Sequence, residues 1–199
     1  MSDALPKVYL VRHGETAWSL SGRATGRTDL PLTDKGERDA QALGARLKGS
    51  NFAQVLTSPL QRARRTAQLA GFGASMQTDD DLTEWDYGAY EGRRSADIRA
   101  QRQGWRLFED GCPGGKTLAA VGVRAERVIE RIHALAGDVL IFAHWDILRI
   151  LAARWLGLPA GNARHFYLTT ASLSILGYHH DLHEPVIRLW NDATIAVGS

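Results

Sequence analysis

The chain has 199 residues, 44% hydrophobic, 23% charged and 8% aromatic, with 24 Lys plus Arg against 22 Asp plus Glu. A chain of this length can bury one large core, so a single domain spanning 1–199 is expected, and a net charge of +2 is too small to argue for a nucleic-acid partner. The lone cysteine, Cys112, excludes a disulfide scaffold and fits a reducing cytoplasm, while the lack of a long apolar run or a signal-like start argues against export and a membrane partner.

In chain order, Lys7 to Val11 (KVYLV) is compact and rich in β-branched and aromatic residues, which predicts a buried strand opening into a loop at Arg12-His13-Gly14. Thr33 to Lys48 predicts a helix: Thr33 caps it, Asp34 and Glu37 suit the positive end of its dipole, and Ala40, Leu43 and Leu47 recur at helical spacing. Gln54 to Thr57 reads as a second strand, and Pro59 to Ala70 as a second helix with Pro59 in its first turn. Leu118 to Leu135 carries Val121, Ala125, Val128, Ile129 and Ile132 on one helical face and leads into Val139 to Ala143 (VLIFA), an unbroken apolar run that fits a strand covered on both sides. A helix from Asp146 to Leu156 follows, then strands at Ser172 to Tyr178 and Val186 to Trp190 that form an antiparallel hairpin. This alternation predicts an α/β three-layer sandwich, with a largely parallel central sheet and helices on both faces. The hairpin turn holds His179, His180 and His183, whose spacing matches no zinc pattern; it reads as a solvated turn, and no metal site is expected.

Ligands of such sheets gather beyond the carboxyl ends of the strands. The residues there are Arg12 to Thr16, Thr57-Ser58-Pro59 with Arg62 one turn later, and His144 after VLIFA. Two histidines and two arginines are thus expected to converge. An uncharged imidazole is a nucleophile, neighbouring cations oppose its protonation, and guanidinium forks match phosphate oxygens. The constellation suits a phosphomonoester.

RHGET at Arg12 to Thr16, Gly26 with the following Asp29 to Thr33, TSPLQRARRTA at Thr57 to Ala67, LTEWDYGAYEG at Leu82 to Gly92 and FAH at Phe142 to His144 resemble, in order, the motifs of the histidine phosphatase superfamily, which includes the phosphoglycerate mutases. The resemblance implies a phosphoglycerate mutase-like fold and a phosphohistidine formed on His13. It also implies that Arg12, Arg62 and His144 hold the phosphoryl group, that Glu84 acts as acid and then base, and that no cofactor or metal takes part. A segment around Glu84 without the mutases' arginines, and the stretches at Trp18 to Gly26 and Trp105 to Gly115, look like the branch containing sedoheptulose bisphosphatase. A small phosphorylated sugar is therefore the expected substrate, bound by Arg12, Ser19, Thr25, Gly26, Arg62, Glu84, His144 and Trp145; a homodimer is left open.

The chain departs from the family pattern where Trp145 replaces the usual glycine after the second histidine and where Lys116 replaces glutamate. Trp145 is expected to narrow the pocket, stack on substrate or strain its loop, and Lys116 to add charge near the substrate. A phosphomutase, a phosphoprotein phosphatase and a phosphate-binding module with reduced catalysis are the alternative readings.

Overall fold

The computed structural model describes residues 5–194. Six strands, β1 (Val8–Arg12), β2 (Gln54–Thr57), β3 (Met76–Thr78), β4 (Val139–Ala143), β5 (Leu173–Tyr178) and β6 (Pro185–Asp192), form one sheet in the order β3-β2-β4-β1-β5-β6. The four strands from β3 to β1 are parallel, and β5 and β6 continue the sheet as an antiparallel hairpin. VLIFA is central because it has no polar face. Val139, Ile141 and Ala143 pack into one core with helices α6 (Leu118–His133) and α7 (Trp145–Trp155), while Leu140 and Phe142 enter a second core with α2 (Asp34–Leu47) and α3 (Gln61–Ala67). The alternating pleat thus builds both helical layers.

Thr33 caps α2 by accepting from Gly36 N at 3.0 Å, as its position predicts. Two expectations about the next helix need correction. Pro59 lies outside it, since α3 starts at Gln61 after the Leu60 cap, and the helix does not run regularly to Ala70. Residues Gln68–Phe72 widen into a π turn broken at Gly71, whose φ of 94° is a conformation glycine adopts without steric cost. The short β3 and the small helices α1 (Ala17–Ser21), α4 (Ser95–Gln101) and α5 (Leu107–Asp110) were not legible as elements. Among the described residues, no helix is long and apolar enough to cross a membrane.

The start of α2 presses directly on the loop after β1. A Cβ on Gly36 would stand 2.3 Å from Glu15 O, and one on Gly14 would stand 2.5 Å from Gly36 O. Both approaches are backbone against backbone, so neither can relax by a rotamer change. Gly36→Ala is expected to destabilise the protein by about 1–3 kcal/mol and to lower activity by shifting the loop that carries His13. An unchanged melting temperature would contradict this contact.

Candidate active site

The parallel strands deliver Arg12, His13, Ser58 and His144 to the same edge of the sheet. His13 N donates to Ala143 O at 3.0 Å, Ala171 N donates to His13 O at 3.1 Å, and Gly14 N donates to Thr66 Oγ1 at 2.9 Å. The loop is therefore tied to β4, to the β5 approach and to α3. His13 Nδ1 lies 2.7 Å from Gly14 O. A carbonyl only accepts, so Nδ1 carries the proton and Nε2 keeps its lone pair. Burial, followed by the Arg62 and Arg12 guanidiniums, pushes His13 well below the usual histidine range, so the ring is neutral at pH 7.

His144 is also buried and held neutral, by burial first and then by Arg62. Arg62 Nε donates to its Nδ1 at 3.1 Å, which places the ring proton on Nε2, 2.7 Å from Ser58 Oγ. The rest of the Arg62 guanidinium donates to the carbonyls of Thr28 at 2.9 Å, Gly26 at 2.8 Å and Thr25 at 3.1 Å. Arg62 thus orients His144 and ties down the 25–28 loop. Arg12 donates through Nη1 to Leu168 O at 2.6 Å, and its buried Nε has no partner among the described residues.

Glu84 reaches this edge from the loop after a 3₁₀ turn at Asp80–Leu82. His144 starts α7 without a side-chain cap, and the Glu84 carboxyl fills that role from a distance. It accepts from Asp146 N at 3.1 Å and Ile147 N at 3.1 Å, and from its own neighbour Trp85 N at 2.9 Å. Burial, with the Asp146 carboxylate second, raises Glu84 to about 7 despite these donors and Arg62.

Arg12, His13, Ser19, Thr25, Glu84 and Trp145 line a cavity of about 340 Å³, large enough for a small ligand. Its far wall is the aromatic and aliphatic segment of Tyr90, Ile98, Trp105, Leu107 and Phe108, stiffened by edge-to-face contacts of Tyr90 with Trp105 and of Phe108 with Trp85. Arg23, Arg99, Arg106 and Arg164 stand at the mouth with one carboxylate, Glu109, among them. A neutral nucleophilic imidazole, buried guanidiniums and a carboxyl able to hold a proton at neutral pH therefore share one pocket.

A family model described as histidine phosphatase superfamily (branch 1) matches residues 8–193. The chain belongs to this superfamily. It is 37% identical to an acid phosphatase of Mycobacterium tuberculosis, with 89% of each chain covered, and 32% identical to sedoheptulose 1,7-bisphosphatase of Saccharomyces cerevisiae, with 95% of this chain and 94% of the relative covered. A solved structure of a Mycobacterium tuberculosis open-reading-frame product superposes with a TM-score of 0.88 at 34% identity, covering 95% of this chain and 99% of the other. The fold is phosphoglycerate mutase-like, and the relatives support phosphatase chemistry.

Within this histidine phosphatase site, some sequence expectations move. Gly26 does not line the cavity: its N–H donates to Glu91 at 2.8 Å, its carbonyl holds Arg62, and a Cβ there would lie 2.4 Å from Trp85 O. Arg62 and His144 are fully buried behind the cavity wall. Ser19 faces the cavity, yet its hydroxyl also closes a capping box with Thr16 at the start of α1. Lys116 is exposed and absent from the cavity wall; its carbonyl anchors the Trp85 indole at 2.7 Å.

Trp145 does not strain its loop. It is the first residue of α7, and Ala171 and Asn191 are the only non-glycine residues with positive φ among those described. Its ring forms part of the cavity wall, with the Arg12 and Arg149 guanidiniums 5.0 and 5.1 Å from the ring centroid. Cys112 is no nucleophile, because burial and Asp146 push its thiol up to about 12. His179, His180 and Glu184 meet on the exposed β5–β6 turn, where His180 Nδ1 pairs with Glu184 at 2.7 Å.

Sequence reasoning missed Ser58 and Thr66 as supports of His144 and Gly14, and read Asp146 only as the start of a helix. In the structure Asp146 is buried between Tyr87, whose hydroxyl donates at 2.5 Å, and Arg149 at 3.0 Å. The spacing of Asp146 and Arg149 on a helix that follows an active-site histidine was the available signal.

Proposed function

We propose that the protein is a metal-independent phosphomonoesterase that hydrolyses small sugar phosphates or sugar bisphosphates through a phosphohistidine on His13. The observation that carries this reading is the engaged Nδ1–H of a neutral His13, which leaves Nε2 free beside Arg12 at the cavity. Nε2 attacks phosphorus, the bond to the sugar oxygen breaks, and that oxygen takes the Glu84 proton. Water then attacks the phosphohistidine and gives a proton to the Glu84 carboxylate; the P–N bond breaks and inorganic phosphate leaves. Arg12, with Arg62 acting through His144, supplies positive charge as the phosphoryl group transfers.

The polyhydroxylated part of the substrate would lie among Ser19, Thr25 and Trp145, and the arginines at the mouth favour a second anionic group. The unpaired Cys112 supports a cytoplasmic setting.

Phosphate release from a panel of sugar monophosphates, sugar bisphosphates and an aryl phosphate, measured with a chelator present, tests the proposal. Sugar phosphates are expected to give the highest kcat/KM, with bisphosphates ahead of monophosphates. Trp145→Gly is expected to reorder the panel by about tenfold or less, as loss of one cavity wall would. No phosphate release from any sugar phosphate, or formation of an isomer in place of phosphate, would overturn it.

A further inference from the structure

The chemistry proposed above needs Glu84 protonated before the leaving group departs, yet most of what touches Glu84 favours its charged form. Three backbone N–H groups point at its carboxyl, two of them from the first turn of α7, whose dipole favours an anion. The charged and titratable groups facing it are Arg62 from α3, Arg12 from β1, Arg124 from α6, Tyr87 from its own loop and Asp146 on α7, and the neutral His13 shares its cavity wall. Of these, Asp146 is the one that can carry negative charge near pH 7.

Asp146 differs from Glu84 in its partners. One oxygen accepts from the Tyr87 hydroxyl and the other from Arg149 Nη1, whereas no side-chain donor reaches the Glu84 carboxyl among the described residues. Arg149 is itself buried, fixed to Ala163 O at 3.1 Å, and faced by the rings of Phe108 and Trp145. Two buried carboxyls joined by the Asp146 N to Glu84 hydrogen bond cannot both ionise cheaply, and the proton goes to the one without a hydrogen-bonded cation.

We propose that Asp146 is a positioning residue whose ionised carboxylate, clamped by Arg149 and Tyr87, keeps Glu84 in its acid form in the unliganded enzyme. This rests on Glu84 as the acid. Burial raises Asp146 as well, with Arg149 and Tyr87 opposing, while Glu84 is raised to about 7. A glutamic acid of ordinary pKa would be protonated in about one molecule in three hundred at pH 7, against about half for this one. Burial and the second carboxylate together thus raise the competent fraction about a hundredfold before substrate arrives, and a share of about one unit from Asp146 is about tenfold of it.

The test is a ¹³C NMR titration of side-chain carboxyls in the full chain, with the Glu84 signal assigned through Glu84→Gln, alongside kcat/KM from pH 5 to 9 for a sugar monophosphate. In Asp146→Asn the Glu84 midpoint is expected to fall by about one unit or more and the alkaline limb of kcat/KM to move down with it. At pH 8 the loss should be about tenfold or more, and at pH 5 below about threefold. The double variant Asp146→Asn/Arg149→Gln, which neutralises the buried pair together, serves the same titration if the single variant does not fold. An unmoved Glu84 midpoint in a folded variant overturns the proposal. A Glu84 midpoint that falls while the rate profile stays fixed supports the coupling and removes Glu84 from the acid role, so the two readings fail separately.

Discussion

His13→Ala is expected to lower kcat by about 10⁴-fold or more, since a residue that forms the covalent intermediate has no substitute among its neighbours. His144, the other imidazole of the site, has both ring nitrogens engaged, with Arg62 and Ser58, and so offers no free lone pair. Only His13 Nε2 is left open, because Gly14 O takes the proton at Nδ1. Wild-type enzyme quenched in alkali during turnover of a ³²P-labelled sugar phosphate should carry label that is stable to base and lost in acid. His13→Ala should carry none. The ring is buried, so a melting curve must show that the variant folds; His13→Gln fills more of the space if alanine does not. Label retained on a folded His13 variant would move the nucleophile elsewhere.

Whether such residues could be read in advance depended on how local their causes are. VLIFA lacks a polar face, so its place in the sheet centre was legible, and a parallel central strand forces its successor, His144, to the edge where ligands gather. The same rule placed Arg12, His13 and Arg62. Elements set by distant contacts were not legible. β3 has three residues and pairs with β2 alone, and the 88–111 segment is organised by rings distant in sequence, Tyr90 against Trp105 and Phe108 against Trp85. Gly26 illustrates the same limit within the site. Its motif marked it as important, but only the packing shows that its carbonyl serves Arg62 and that Trp85 leaves no room for a side chain.

Trp145 also shows why a departure from a family pattern is informative only in three dimensions. The absence of glycine after His144 suggested strain, yet α7 begins at Trp145 with ordinary helical geometry. The consequence falls on the neighbouring groups: the indole walls the cavity, with the Arg12 and Arg149 guanidiniums against its ring.

Glu84→Gln should lower the rate and remove a destabilisation that grows with pH, and the two effects have one cause. With an alkoxide leaving group, loss of the acid is expected to reduce kcat by about 10²–10⁴-fold; with an aryl phosphate, whose leaving group needs no proton, the first step should change far less. For stability, the folded-state pKa of Glu84, about 7, lies above the ordinary value of 4.5. The native state therefore binds the proton more tightly than the unfolded chain. That contribution is complete below pH 4.5 and is lost as pH rises through about 7, so wild type carries a deficit of about 3 kcal/mol at pH 8. Glutamine is never ionised and escapes it. Its amide NH₂ must replace one oxygen that now accepts a backbone N–H, from Trp85, Ile147 or Asp146, which costs about 1–3 kcal/mol at every pH. The difference in stability, variant minus wild type, should therefore rise by about 2–3 kcal/mol between pH 5 and pH 8, from negative toward positive. Urea unfolding at both values measures it. A difference independent of pH would mean that Glu84 is already ionised in the folded protein at pH 5, and an acid so disposed could not protonate the leaving group at neutral pH.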